Sequence, residues 1–301
     1  MRNSSQPGAA GIAFGVGSYT LWGVLPLYIH LLKDVPALQV LAHRVLWSLA
    51  LLVLLIFVLR RAPGIIAAAR GRTLLLLVGS ALMIAINWIV YIWAVQNGHV
   101  LEASLGYFIN PLVNVALGFA FLGERLRRLQ MGAIAIAAAG VLVLAFSGGG
   151  VLWISLLLAS SFGLYGLLRK VAAIDALGGL TVETLLLAPF SAALLIHAGQ
   201  TGTAAFGQSD HMNLLLALAG VVTALPLLLF AAAARRLPLA TLGLLQYIAP
   251  TLQFAEAVLI FGEPMHTVHV VTFALIWTGC ALYAFDSIRA SRVSAAQTTP
   301  E

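Results

Sequence analysis

Charge is what this chain has least of: Asp, Glu, Lys and Arg make up 9% of its 301 residues, and hydrophobic types make up 61%. Soluble domains carry about a quarter charged residues, so the shortage excludes a water-soluble fold. A mean hydropathy of +1.02 places the chain in a membrane. Cysteine is nearly absent. The single Cys280 excludes an internal disulfide and leaves no thiol cluster for a metal; it reads as a small core or lipid-facing residue. The acids are few and scattered, without the aspartate-rich motif that membrane transferases use to hold Mg²⁺. There is no Gly-x-Ser-x-Gly, His-Glu-x-x-His or Walker loop either. The expectation is no catalytic residue, no metal, no cofactor and no enzyme activity. A formal charge of +6 comes from arginines spread over short loops, without the basic stripe and interleaved aromatics of a nucleic-acid surface. A cleavable signal is missing too: the polar segment Arg2 to Pro7 leads into a full-length apolar run, which reads as a signal anchor.

What the chain does have is long apolar runs. A helix needs about 20 residues to cross a hydrocarbon core, and runs of that order lie at 11–32, 37–59, 73–95, 101–122, 129–147, 151–168, 180–198, 213–234, 239–261 and 268–288. They are apolar on nearly all faces, which excludes the period-two alternation of a membrane barrel. The reading is an all-α polytopic membrane protein of ten transmembrane helices, with the polar stretch from Ser291 to Glu301 disordered. With the N-terminus inside, inner segments hold fourteen of the sixteen Lys and Arg residues; only Lys33 lies in an outer loop, and Arg44 lies within the second span. The positive-inside rule thus puts both termini in the cytoplasm.

Residues 108–146 recur without a gap as 247–285, an offset of 139, with nine identities that include Pro111/Pro250, Gly123-Glu124/Gly262-Glu263 and Gly140/Gly279. Five spans per copy is odd, so the second copy must be inverted. Accordingly Arg125, Arg127 and Arg128 follow the first Gly-Glu, but Pro264, His266 and Thr267 follow the second. Residues 11–147 and 148–288 form the two repeats between short cytoplasmic tails, 1–10 and 289–301. Inverted repeats in a membrane suit alternation between two facings.

Ionisable and amide groups at membrane depth are expensive and therefore candidates for function. Tyr107, Asn110, Pro111 and Asn114 share one face of span 4, and Gln246, Pro250 and Gln253 repeat the device in span 9. Each mid-helix proline frees the carbonyl four residues back, those of Tyr107 and Gln246. These faces either line a central cavity or glue and kink helices. Arg44, beside His43 in span 2, pairs with Glu256 or Glu102, anchors an anionic substrate group, or snorkels outward. His43 is a packing residue or a proton relay. Trp22, Asn87 and Tyr91 near mid-span offer an aromatic and polar lining. Gly123 and Gly262 fit helix C-caps, with Glu124 and Glu263 placed to hold the next helix by its N-terminal amides.

The runs Leu21-Trp22-Gly23, Pro26-Leu27-Tyr28, Ala42-His43-Arg44, Trp47-Ser48, Asn87-Trp88, Tyr91 to Ala94, Asn97-Gly98-His99 and Leu101 to Pro111 resemble the RarD branch of the drug/metabolite transporter superfamily, whose members look like two inverted EamA repeats. The match is thinner in the second half, carried by Gln246-Tyr247, Pro250 and Gly262-Glu263. The resemblance implies a bacterial inner-membrane carrier that moves small metabolites or drug-like compounds, outward by expectation, through a central cavity. Its partners would be the small-molecule substrate and the lipid bilayer. The alternative, a polytopic enzyme acting on lipid-like substrates, would need paired carboxylates at one face. Topology is directly testable: in a Cys280→Ala background, a cysteine at Thr203 should label from outside intact cells, and one at Thr298 only after the inner face is exposed.

Overall fold

The structure, a computed structural model, describes residues 9–122, 127–146, 152–234, 236–237 and 245–297. Among them it is helical, without a strand. The helices are α1 Ala9–Gly23, α2 Leu25–His30, α3 Ala37–Val58, α4 Ala62–Ala68, α5 Gly71–Gln96, α6 Val100–Leu122, α7 Arg128–Phe146, α8 Leu152–Val171, α9 Ala176–Gln200, α10 Asp210–Ala234, α11 Ile248–Leu259 and α12 Thr267–Gln297. Among the described residues, eight spans are long and apolar enough to cross a membrane, counting α1 with α2 as one. The 23-residue α6 and the shorter, 12-residue α11 accompany them. Phe57, Leu75, Phe190 and Leu259 are 74–81% exposed, an outward display of large apolar groups suited to lipid rather than water.

Local chemistry explains the breaks. Pro26 has no N–H to offer the Trp22 carbonyl four residues back, and the first span divides at Val24. The freed carbonyl accepts the Gln253 Nε2 amide at 3.0 Å instead, so a proline in α2 fixes a contact with α11. Gly98, at φ +72°, ends α5 by letting His99 N donate back to Ala94 O at 2.8 Å, a left-handed cap that a Cβ would strain. Asp175 starts α9 by accepting from Gly178 N at 2.8 Å.

Two expectations need correction. Pro250 is not a mid-helix kink among the described residues: α11 starts at Ile248, so Pro250 sits in the first turn, where a missing N–H has no helical partner to lose. The tail is helical through Gln297 rather than disordered from Ser291, because residues 291–297 contain neither Gly nor Pro and adding residues to an existing helix needs no new nucleus. The inner loop after α3 carries the short helix α4, whose Pro63 lies in its opening turn.

The main packing partners come from opposite halves of the chain. α1 packs on α10 and α5 on α8; α6 packs on α8 and α1 on α11; α3 packs on α10 and α5 on α9. α3 also meets α9, α6 meets α11, and α7 meets α12. Lipid is as apolar as leucine, so close backbone approach rather than the hydrophobic effect must hold such pairs. Glycines provide it. A Cβ on Gly279 would lie 2.7 Å from the Ala133 carbonyl and one on Gly140 3.1 Å from the Thr272 carbonyl, while Thr272 Oγ1 donates to Gly140 O at 3.2 Å. Both glycines that mark the sequence repeat therefore lie in the α7–α12 contact, each against the backbone of the other helix. At α3–α10, a Cβ on Gly220 would lie 2.6 Å from the Trp47 carbonyl carbon. Gly220→Ala should cost about 1–3 kcal/mol by overpacking and lower Tm in detergent; Gly64→Ala, with nothing within 4 Å of its added Cβ, should leave Tm unchanged.

Candidate functional site: a buried polar core

Arg44 is the eighth residue of α3 and is only 4% exposed. Its guanidinium keeps its proton under all relevant conditions, so neighbours must accommodate the charge. Nε donates to Thr223 Oγ1 of α10 at 3.2 Å, and the group stacks over Trp88 of α5 at 5.0 Å from the ring centroid. Tyr28, Tyr91 and Tyr107 lie close enough to interact with it electrostatically, while Nη1 is buried without a hydrogen-bond partner. The expected pairing with Glu256 or Glu102 is absent. The stack on Trp88 and the bond to Thr223 hold Arg44 toward α5 and α10, and Glu102 turns to His99 Nδ1 at 3.6 Å. Glu256 is 5% exposed in α11 with Oε2 unpartnered, and its charge acts on Tyr91.

Around this charge the polar residues of several helices converge. Asn87 Nδ2 donates to Leu158 O and Ser161 Oγ, both at 3.1 Å, and its Oδ1 accepts the Tyr107 hydroxyl at 3.1 Å. Tyr107 packs against Tyr91 with ring centroids 5.5 Å apart. The Tyr91 hydroxyl, Asn110 Oδ1 and Gln253 Oε1 are buried without partners. α3, α5, α6 and α11 thus all direct unfilled hydrogen-bonding capacity into the bundle. Buried polar groups are ordinarily paired, so these atoms stand out against the rest of the bundle.

Other predicted residues lie elsewhere. Trp22 joins Tyr19 and Phe230 in an aromatic group, centroids 5.6 and 5.9 Å away. Asn114 is exposed, with its Oδ1 toward Gly163 and Gly166 of α8, and Gln246 is half-buried just before α11. His43 faces away from Arg44, stacked on Phe206 at 5.5 Å beside a shallow groove it shares with Trp47 and Leu195. Gly262 has φ +65° after α11. Glu263 does not hold the helix that follows it: its carboxylate accepts Val100 N and Leu101 N, each at 2.7 Å, clamping the N-terminus of α6 from the other half. Burial holds that carboxyl above its ordinary range despite the two amides. Gly123 and Glu124 lie outside the described residues, and Pro111 lies within α6, which continues on both sides of it.

The EamA-like transporter family model matches residues 9–146. An "uncharacterized transporter" of Vibrio cholerae is 44% identical over 98% of this chain and 98% of its own length. Protein RarD of Escherichia coli is 45% identical over 94% and 96%, and the "chloramphenicol-sensitive protein RarD" of Pseudomonas aeruginosa 37% over 98% and 99%. The chain belongs to the EamA-like transporter family, in its RarD branch. A solved crystal structure 20% identical aligns with a TM-score of 0.58 over 91% of this chain and 97% of that one, a likeness of fold alone.

For this EamA-like protein the sequence reading missed Thr223 and Trp88 as the groups that hold Arg44, and it missed Glu183 entirely. Thr223 carries no sequence signal, being one hydroxyl in an apolar span. Glu183 did carry one: it is an acid inside an apolar run, the same rule that singled out Arg44. Asn87 is the best place to test the polar core. Asn87→Leu strands the Tyr107 hydroxyl and should cost about 1–3 kcal/mol, read as a lower Tm; Tyr107→Phe in that background should recover part of the loss.

Proposed function

We propose that this protein is a bacterial inner-membrane secondary transporter of small metabolites or drug-like compounds, exporting them by alternating access through the polar core around Arg44. The observation that carries this reading is the convergence of partnerless buried groups, Arg44 Nη1, the Tyr91 hydroxyl, Asn110 Oδ1, Gln253 Oε1 and Glu256 Oε2. A purely structural membrane bundle would pair such groups or omit them. Arg44 offers a hydrogen-bond donor to an anionic substrate group, and the amides and Glu256 offer acceptors. The aromatic rings of Tyr91 and Tyr107 give an apolar substrate body something to pack on.

Ten spans arranged as two inverted five-helix repeats fit this mechanism. In support, the packing partners exchange in pairs when α1 with α2, α3, α5, α6 and α7 are swapped for α8, α9, α10, α11 and α12: α1–α10 becomes α8–α5, and α6–α8 becomes α11–α1. Both termini are placed in the cytoplasm by the arginine distribution. The transporter names of the relatives favour this reading over a membrane enzyme.

Transport of a labelled compound panel by proteoliposomes tests it. The parent should move at least one compound, and Asn110→Leu should change its kinetics with Tm close to the parent's. Loss of a hydrogen-bonding partner discriminates strongly between substrates. Parent-like kinetics in this variant would assign the Asn110 amide to helix packing.

A further inference from the structure

Another buried charge lies toward the opposite end of the bundle. Glu183 is 1% exposed in α9, about 10 Å along the axis from the helix start. Its Oε1 accepts Ser80 Oγ of α5 at 2.6 Å and stands 3.6 Å from Arg169 Nε of α8; its Oε2 accepts the Tyr165 hydroxyl of α8 at 3.4 Å. Arg169 Nη2 donates to the Asp175 carbonyl at 2.9 Å, and the Asp175 carboxylate meets Arg61, beyond α3, at 2.5 Å. Arg169 can take this path because residue 179 is glycine; a Cβ there would collide with the guanidinium. Side-chain exposure rises along this series, from 1% at Glu183 to 14% at Arg169, 46% at Asp175 and 51% at Arg61. A line of ionisable groups therefore runs from membrane depth to the arginine-rich face.

The position repeats that of Arg44. Counted from Ala37 and Ala176, each is the eighth residue of its helix, and they are 139 residues apart, the offset of the repeat. The inverted copies thus carry opposite charges at matched sites near opposite ends. Arg44 reaches α10 and Glu183 reaches α5, helices that themselves exchange under the repeat.

The surroundings select the ligand. Ser80, Tyr165 and Arg169 all present donors to the carboxylate, so a metal cation would meet the positive Arg169 and, besides Glu183, only neutral hydroxyls whose protons point at the site. A proton needs neither. Just beyond α3, Arg61 reaches Asp175, and Lys170, Arg70 and Arg72 lie at the same end. Resting on the transporter reading above, we infer that Glu183 is a proton-binding coupling site. Uptake of one H⁺ from the arginine-rich face turns its carboxylate into a neutral carboxyl and cancels the attraction to Arg169, an ionic tie between α8 and α9. The hydroxyl contacts of Ser80 and Tyr165 survive, since a neutral carboxyl still accepts, and so does the bond from Arg169 to the Asp175 carbonyl, so the α8–α9 junction loosens rather than separates.

The test uses the full chain in nanodiscs, where both faces are accessible, with Cys280→Ala and a reporter at Leu77→Cys. Leu77 is fully buried on α5, one turn from Ser80, against Ile56, Ile65, Ala172 and Val182. A water-soluble maleimide is the probe, with rates normalised to a cysteine at the exposed Ala67. As pH falls from about 8 to about 5.5 the normalised rate should rise about tenfold, since protonation favours the loosened form. Glu183→Gln should label fast at every pH, and Glu183→Asp should keep the response with a shifted midpoint. A pH-flat rate in the parent, or the parental response retained in Glu183→Gln, would overturn the proposal; if the Gln variant is not monodisperse, an unshifted midpoint in Glu183→Asp does so. Labelling needs no substrate and fails independently of transport. A parent that moves no compound would sink the transporter reading, whereas pH-flat labelling of a protein that does transport would sink this one.

Discussion

A guanidinium that cannot shed its proton, 4% exposed within an apolar bundle, constrains much of the rest of this structure. It needs an aromatic face and a hydroxyl within reach, and Trp88 and Thr223 provide them from α5 and α10. Those two helices must then flank α3 closely. The approach to α10 is possible because Gly220 brings its backbone against that of Trp47. Replacing that glycine would push outward the helix that holds the charge. Packing and electrostatics are here one requirement, since an uncompensated charge at this depth is far more costly than the contacts that compensate it.

The second theme is exchange between halves. Gln253 of α11 satisfies the carbonyl that Pro26 frees in the first span, and Glu263 beyond α11 satisfies the opening amides of α6. Asn87 of α5 holds the Leu158 carbonyl and Ser161 of α8. In hydrocarbon no water can take over these roles, so each half lacks partners without the other.

In the polar core the bonding is incomplete. Asn87 and Tyr107 are fully engaged with protein groups, whereas Tyr91, Asn110, Gln253 and Glu256 retain unused atoms. The first pair ties α5 to α6 and α8, whereas the second group keeps atoms that no protein group uses.

Much was legible from the chain itself. The membrane environment, the helical class and the family follow from composition, run length and the Trp-Gly, His-Arg and Asn-Pro motifs, because hydrophobicity and backbone satisfaction are local properties. That Arg44 lies at membrane depth was legible for the same reason, but its burial rather than snorkelling was not. Its partners were not: Thr223 and Trp88 lie 179 and 44 residues away in sequence, and nothing local distinguishes them from the acids that seemed better suited by charge. Pro250 reads as a kink until the start of α11 is known, and Glu263 reads as a cap for the helix after it until α6 is seen against it. Local sequence determined which residues must be buried and in which element; only tertiary structure decided which of them meet, because a contact between spans depends on the rotation and crossing of whole helices, set by the summed packing of both halves.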